Sequence, residues 1–193
     1  MVGNNHIHAL DETDKMTCET IYHTPDGFDD IILTADGGVL TGLRFIGFVE
    51  THGRASLPQS LQKSSSQQHS LQIPSSPEPP TPVIRDTCRW LDIYFSGRQP
   101  DFTPVFQMDN LTPFRKRVLE MVCTIPWGRI MTYGEIAGHL GIRSAQAVGG
   151  AVGWNPICLI VPCHRVMGAN GSLTGYGGGL RNKAALLRLE GAI

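Results

Sequence analysis

Apolar and polar residues alternate along the first part of the chain, as they do in strands with one buried face. Three short β-rich runs lie between Thr17 and about Val49, separated by Pro25-Asp26-Gly27 and Asp36-Gly37-Gly38. An Asp-Gly pair between such runs is a hairpin signal. The pattern therefore predicts a small antiparallel meander.

A helix is predicted to follow this meander after a long polar interval. From residue 56 to 82 the composition turns to Ser, Gln and Pro, which cannot offset the entropy of ordering, so we predict a mobile loop. Apolar residues then recur at helical spacing from Ile84 to Phe95. Residues 1–15 are polar without periodicity, which predicts a disordered tail. We expect an N-terminal α/β domain over residues 16–97 and a linker over 98–110.

From residue 111 to 193 the spacing is mainly helical, and Thr112, Thr132 and Ser144 stand where N-caps are expected. The predicted helices are Pro113–Val122, Tyr133–His139, Ala145–Val152 and Arg181–Leu189. The second and third are short and are joined by a turn at Gly141, which is the helix-turn-helix arrangement. The expected fold class is α+β: a small antiparallel sheet with a helix, then a mainly helical, winged-helix-like domain over 111–193.

A cysteine and a histidine stand side by side at the end of an apolar run, in Pro162-Cys163-His164-Arg165-Val166. A thiol reacts as the thiolate, so its pKa must be lowered by a base or a cation, and here both follow Cys163 directly. Neighbours in an extended segment point to opposite sides, so we expect His164 to act on Cys163 through a water or from a bend. Glu190, one of three acids after residue 111, is the candidate for orienting His164.

Composition and charge restrict the remaining possibilities. Five cysteines at irregular spacing signal neither a disulfide framework nor a zinc site, so no metal is expected; Cys123 and Cys158 stand in apolar contexts typical of a core. No apolar run approaches about 20 residues and the N-terminus lacks signal-peptide features, so we expect a cytoplasmic protein without membrane contact. Seven basic and 14 acidic residues precede residue 112, and nine basic and three acidic residues follow. The resulting net charges of −7 and +6 favour a polyanion as partner of the C-terminal half, although an ordinary solvated basic face gives the same pattern.

The chain resembles the O6-alkylguanine-DNA alkyltransferases. The resemblance rests on a helix-turn-helix followed in order by Asn155-Pro156, Pro162-Cys163-His164-Arg165-Val166, Tyr176-Gly177-Gly178-Gly179 and Leu189-Glu190-Gly191. It covers about residues 17–193 and is most specific from Phe114 onward. It implies a monomeric repair protein, with no cofactor, that binds double-stranded DNA carrying O6-alkylguanine. It also implies irreversible, stoichiometric transfer of the alkyl (methyl) group from guanine, or from O4-alkylthymine, to the protein's own cysteine.

The same resemblance implies the catalytic roles. Cys163 would accept the alkyl group, His164 would be its base through a water, and Glu190 would orient His164. Tyr133 would assist the departure of the guanine O6. Asn155 would brace the turn before the active-site segment.

It further implies which residues contact the substrate. Carbonyls of Cys163 and Val166 and the amide of Gly177 would read the guanine edge. Tyr176 would line the alkyl pocket, where Cys158 and Gly178 are expected to leave some room. The DNA-binding residues would be Ala145, Gln146, Ala147, Gly149 and Arg165.

Gln146 departs from the family pattern, which usually has an arginine there to fill the gap left by the flipped base. Glutamine lacks the charge and the reach of arginine. We therefore expect a less stabilised flipped state and slower repair than in an arginine variant.

Three other classes of protein are open at the level of the sequence. A non-enzymatic alkyltransferase-like DNA-lesion sensor keeps the fold but replaces the cysteine, so Cys163 argues against it. A sequence-specific regulator needs side chains that read base edges, and a helix of Ala and Gly offers few. A cysteine hydrolase turns over, so complete one-to-one loss of activity after alkylation would exclude it.

Overall fold

The computed structural model describes residues 17–47 and 81–193. The chain begins with an antiparallel sheet in the order β1 (Thr17–Tyr22), β2 (Ile31–Asp36) and β3 (Val39–Phe45). Gly37 and Gly38 both have positive φ in the two-residue turn between β2 and β3, as a type I′ hairpin requires. The predicted meander is confirmed, whereas the predicted tail over 1–15 and the predicted loop up to residue 80 lie outside the described residues.

Helix α1 (Pro82–Phe95) packs on β2 and β3. It begins two residues before the predicted start, because Pro82 has the fixed φ that suits the first helical position, so this residue does not belong to the predicted loop. The buried face of α1 lies against apolar side chains that alternate along the strands. This core includes Ile31, Leu33, Leu40, Leu43, Phe45, Val83, Ile84, Trp90, Leu91 and Tyr94.

Strand β3 connects the sheet to the rest of the molecule through backbone hydrogen bonds. The segment 98–110, predicted as a linker, runs beside β3, and Gln107 N donates to the Leu40 carbonyl over 2.9 Å. Further along β3, Cys158 N donates to the Leu43 carbonyl over 2.9 Å. The sheet is therefore bonded directly to the segment that leads to Cys163.

The remaining helices are α2 (Pro113–Cys123), α3 (Tyr133–His139), α4 (Ala145–Val152) and α5 (Leu180–Leu189). Each of the predicted caps accepts a hydrogen bond from the third residue of its helix, and Glu135 completes a capping box with Thr132. Helices α3 and α4 pack together across the turn at Gly141, as predicted. Within residues 17–47 and 81–193, no helix is long and apolar enough to cross a membrane. The predicted α+β fold is confirmed.

Two short parallel strands join the helix-turn-helix to the region of Cys163. Strand β4 (Met131–Thr132) pairs with β5 (Val166–Met167), with Met131 opposite Val166. Tyr133 follows β4 directly, and the segment with Cys163 directly precedes β5. This pairing therefore holds the start of α3 close to the cysteine.

Candidate active site

Cys163 lies in a single 3-10 turn, Cys163–Arg165. The chain bends here, which is one of the two expected alternatives, and Arg165 N donates to the Pro162 carbonyl over 3.0 Å. Cys163 is 5% exposed, so its thiol lies beneath the surface.

Asn155 holds the thiol from one side. Its Nδ2 donates to Cys163 Sγ over 3.0 Å and to the Val161 carbonyl over 2.8 Å. Its Oδ1 accepts a hydrogen bond from Ile157 N over 3.0 Å. Asn155 therefore braces the preceding turn and also contacts the sulfur.

Neighbouring groups lower the pKa of the Cys163 thiol. The largest contribution is a hydrogen bond from the Cys158 thiol, followed by one from Asn155 and the positive charge of Lys183, and together they outweigh burial, which raises the pKa. The pKa of Cys158 lies well above its usual value, first because of its hydrogen bond to Cys163 and then because of burial. Cys163 is thus the member of the pair that ionises.

The two cysteines expected in the core differ in the structure. Cys158 is 1% exposed, as predicted. Cys123 is exposed, so that prediction is wrong: the residue stands in the last turn of α2, on the side away from the core.

His164 is fully buried and contacts Glu190, with Nε2 2.8 Å from Oε1. Burial lowers the pKa of His164, and the nearby cations lower it further, while the hydrogen bond to Glu190 raises it. Among the described residues, His164 Nδ1 has no hydrogen-bond partner. A neutral imidazole with its proton on Nε2 leaves Nδ1 bare, so Nδ1 can accept a proton.

Glu190 is the acceptor at the centre of this buried cluster. It receives hydrogen bonds from His164, from Tyr94 Oη over 2.6 Å, from Arg165 Nε and Nη2 over 2.8 and 2.9 Å, and from Gly128 N over 3.5 Å. Burial raises the pKa of this carboxyl, but the hydrogen bonds from His164 and Arg165 lower it to about 2. Glu190 is therefore ionised and can only accept.

Arg165 is directed into the protein. Its side chain is 11% exposed, and Nη1 donates to the Ile125 carbonyl over 2.6 Å in addition to the two bonds to Glu190. The predicted DNA contact of Arg165 does not fit this geometry, because the guanidinium is already bonded inside the fold.

Two buried residues outside the predicted set complete the cluster. Tyr94, from α1, contacts both Glu190 and His164, the latter over 3.2 Å from Oη to Nε2. Lys183, from α5, is fully buried, and its Nζ donates to the carbonyls of Val166 and Thr174 over 2.6 and 2.7 Å. Burial lowers the pKa of Lys183 to about 8. Helical spacing on α5 could have placed Lys183 on the buried face, but no local signal associates Tyr94 with the cysteine.

The glycine-rich segment after β5 closes a small cleft over the thiol, with a cavity volume of about 10 Å³, which is at the lower limit for one water molecule. Its lining residues are Val152, Gly153, Asn155, Cys158, Cys163, Gly175, Tyr176 and Gly177. Among the described residues, the buried Tyr176 Oη has no hydrogen-bond partner. Gly178 does not provide the expected room, because a Cβ there would lie 2.7 Å from atoms of both Phe45 and Tyr176.

A larger cavity, of about 530 Å³, lies on the helix-turn-helix side and shares Gly175 with the cleft. Its lining residues are Thr132, Tyr133, Gly134, Ala145, Gln146, Gly149, Gly150, Ala169, Thr174 and Gly175. Ala147 is exposed on the same helix. Tyr133 Oη donates to the carbonyls of Thr174 and Gly175, both over 3.3 Å, and burial, then the Cys163 charge, raises the pKa of Tyr133 to about 12. Tyr133 therefore remains a donor at neutral pH.

The fold and the site together define a class: a helix-turn-helix protein that carries a buried cysteine thiol of lowered pKa. The family model described as 6-O-methylguanine DNA methyltransferase, DNA binding domain, matches residues 113–192. A methylated-DNA--protein-cysteine methyltransferase from Methanosarcina acetivorans is 36% identical over 173 residues, which cover 89% of this chain and 97% of that protein. The chain belongs to the methylated-DNA--protein-cysteine methyltransferase family.

Other relatives match over different lengths. The protein of that name from Mycobacterium bovis is 50% identical over 101 residues, and the match spans 52% of this chain and 61% of that relative. A crystal structure of an O6-methylguanine methyltransferase variant from Mycobacterium tuberculosis aligns with a TM-score of 0.68 at 36% identity, covering 92% and 94% of the two chains. The structure of M. tuberculosis OGT in complex with DNA aligns with a TM-score of 0.66 at 35% identity, covering 91% and 92%.

Proposed function

We propose that this protein repairs DNA by transferring the alkyl group of O6-alkylguanine to Cys163, once and irreversibly. The observation that carries the proposal is the pairing of a thiol of lowered pKa with a buried histidine whose Nδ1 is free to accept a proton. Family membership supplies the substrate class, since the relatives are named for methylated DNA and protein cysteine.

The reaction proceeds by proton removal and displacement. The Cys163 proton passes through a water to His164 Nδ1, while Nε2 stays bonded to the ionised Glu190. The thiolate attacks the alkyl carbon, a C–S bond forms, and the bond from that carbon to guanine O6 breaks. The displaced guanine anion takes up a proton from water and remains in the DNA as the neutral base, and the His164 imidazolium returns its proton to water. Cys163 keeps the alkyl group as a thioether, so no step regenerates the thiol.

The residues around the cleft recognise the extruded base. The buried Tyr176 Oη, which has no partner within residues 17–47 and 81–193, offers a hydrogen bond. The Val166 carbonyl, which already accepts from Lys183, has a second lone pair for the guanine edge. Tyr133 lines the wider cavity beside Gly175, the residue that both cavities share, and donates to the leaving oxygen once its hydroxyl has moved from the Thr174 and Gly175 carbonyls. The wider cavity receives the base first, and the cleft opens to admit it.

Helix α4 provides the contact with DNA. Ala145, Gln146 and Ala147 are exposed at its start, and Gly149 lines the wider cavity. Small side chains let a helix approach the minor groove closely, and Gln146 occupies the space of the flipped base. The C-terminal half, with its net charge of +6, attracts the phosphates.

We also propose O4-alkylthymine as a second substrate, action as a monomer and a cytoplasmic location, as the family resemblance implies.

Titration of the protein with excess duplex carrying one O6-methylguanine tests the stoichiometry. We expect repair to stop at one lesion for each protein molecule. Continued turnover would contradict the proposal and favour the hydrolase class.

A further inference from the structure

Tyr94, on helix α1, contacts the pair formed by His164 and Glu190. Its Oη lies 2.6 Å from Glu190 Oε1 and 3.2 Å from His164 Nε2, and the tyrosine is fully buried. Tyr94 therefore contacts both residues, although it precedes His164 by 70 residues and Glu190 by 96 residues in the sequence.

The direction of each hydrogen bond follows from the charges. Glu190 is ionised and only accepts, so the Tyr94 proton points to Glu190 Oε1. The tyrosine oxygen then presents a lone pair toward His164 Nε2. Two acceptors, Glu190 Oε1 and Tyr94 Oη, thus face Nε2 and favour the tautomer that carries the proton there.

The ring of Tyr94 is fixed by its neighbours. It stacks on Trp90 with centroids 5.2 Å apart, and it contacts Trp127 and Phe95 edge to face at 5.1 and 5.5 Å. Rings held on several sides leave the hydroxyl little freedom to move. The hydroxyl therefore holds a fixed position next to the Glu190 carboxylate and the His164 imidazole.

We infer that Tyr94 is a positioning residue for alkyl transfer: its hydroxyl fixes Glu190 and His164 so that His164 Nδ1 is the bare nitrogen that takes the Cys163 proton. The inference rests on the proposed function and deepens it. Charged or titratable groups near the pair of His164 and Glu190 include Cys163, Arg165 and Lys183. Of these groups, Arg165 also donates to Glu190 Oε1, from Nη2 over 2.9 Å.

The test is Tyr94→Phe, which keeps the ring and removes the hydroxyl. The matched control is Tyr22→Phe, since Tyr22 Oη donates over 2.8 Å to Asp92 on the exposed side of the same helix. The maximal single-turnover rate of methyl transfer and the duplex concentration giving half that rate are measured from pH 6 to 9. We expect Tyr94→Phe to lower the maximal rate roughly tenfold and to change the pH profile, with the half-saturating concentration unchanged. Tyr22→Phe should match the wild type.

A spectroscopic measurement keeps the inference testable if the variant folds poorly. The ¹⁵N shifts of the His164 ring, assigned among the seven histidines with His164→Gln, report the tautomer directly. The wild type should hold the proton on Nε2, and Tyr94→Phe should show a mixture. A wild-type proton on Nδ1, or a Tyr94→Phe variant with the wild-type rate and tautomer, would overturn the inference. Failure of the wild type to take up methyl would instead refute the proposed function, while the tautomer would still decide the role of Tyr94.

Discussion

Asn155 donates a hydrogen bond from Nδ2 to Cys163 Sγ over 3.0 Å, in the buried interior. The amide is held in place by Val161 and Ile157, so the donor is directed at the sulfur before any substrate arrives. A donor fixed in this way stabilises the thiolate more than the thiol. We therefore expect Asn155 to take a direct part in activating the Cys163 thiol.

Asn155→Ala should shift the pH dependence of Cys163 alkylation by iodoacetamide to higher pH. A hydrogen bond to a charged group contributes about 1.5–3 kcal/mol, so the rate at neutral pH should fall about tenfold or more. Gln107→Ala, which removes an exposed amide, serves as the control. An unchanged profile for Asn155→Ala would show that the hydrogen bond does not tune the thiol.

Glu190 should make the protein sensitive to acid. Its pKa in the folded state, about 2, lies below the ordinary value of 4.5, so its stabilisation is present above about pH 4.5 and is lost as the pH falls toward 2. The contribution at neutral pH is on the order of 3 kcal/mol.

Glu190→Gln should remove the loss of folding stability between pH 4.5 and 2. It should also lower the free energy of unfolding at pH 7 by about 3–5 kcal/mol, because Arg165 is left buried without its partner. Urea unfolding from pH 7 to pH 2 measures both effects. The control is Glu120→Gln, an exposed carboxylate on α2. Equal acid sensitivity of wild type and Glu190→Gln would refute the assignment.

Lys183→Met should slow repair by about tenfold, because the carbonyls of Val166 and Thr174 lose their donor and Cys163 loses a nearby positive charge. The pKa of Lys183 is lowered to about 8 in the fold, so the wild type should gain stability as the pH rises from 8 to 10, and the variant should not. Single-turnover rates and pH-dependent unfolding test the two statements. Lys116→Met, on the exposed side of α2, should behave as the wild type.

Much of the fold could be predicted from local signals. The Asp36-Gly37-Gly38 turn gave the hairpin, and the capping threonines gave the starts of α2 and α3, because caps and turns depend on neighbouring residues alone. The choice between a water and a bend for Cys163 and His164 stays open in the sequence, because a single 3-10 turn leaves no periodic trace there.

The candidate site was predictable only where residues lie in one segment or match a family motif. Tyr94 reaches Glu190 from a different part of the chain, so its role depends on packing that no local pattern encodes. The family resemblance implies a DNA contact for Arg165, but the guanidinium is buried, and three hydrogen bonds to Glu190 and Ile125 compensate that burial.

Gln146→Arg should raise the second-order repair rate by about fivefold, the equivalent of about 1 kcal/mol. Gln146 is exposed at the start of α4 and lines the wider cavity, where a longer, charged side chain can fill the gap of the flipped base and pair with the orphaned partner. The control His139→Arg adds charge to α3 outside that cavity and separates a general electrostatic gain from filling of the gap. An unchanged rate for Gln146→Arg, or an equal gain in both variants, would contradict the role assigned to position 146.

The most direct test is the intact mass of the protein after mixing with a duplex that carries one O6-methylguanine, with Cys163→Ser in parallel. We expect the wild type to gain the mass of one methyl group, located on Cys163 by peptide mapping, and Cys163→Ser to gain none. Binding of the duplex without any gain in mass would contradict the account and place the protein with the non-enzymatic lesion sensors.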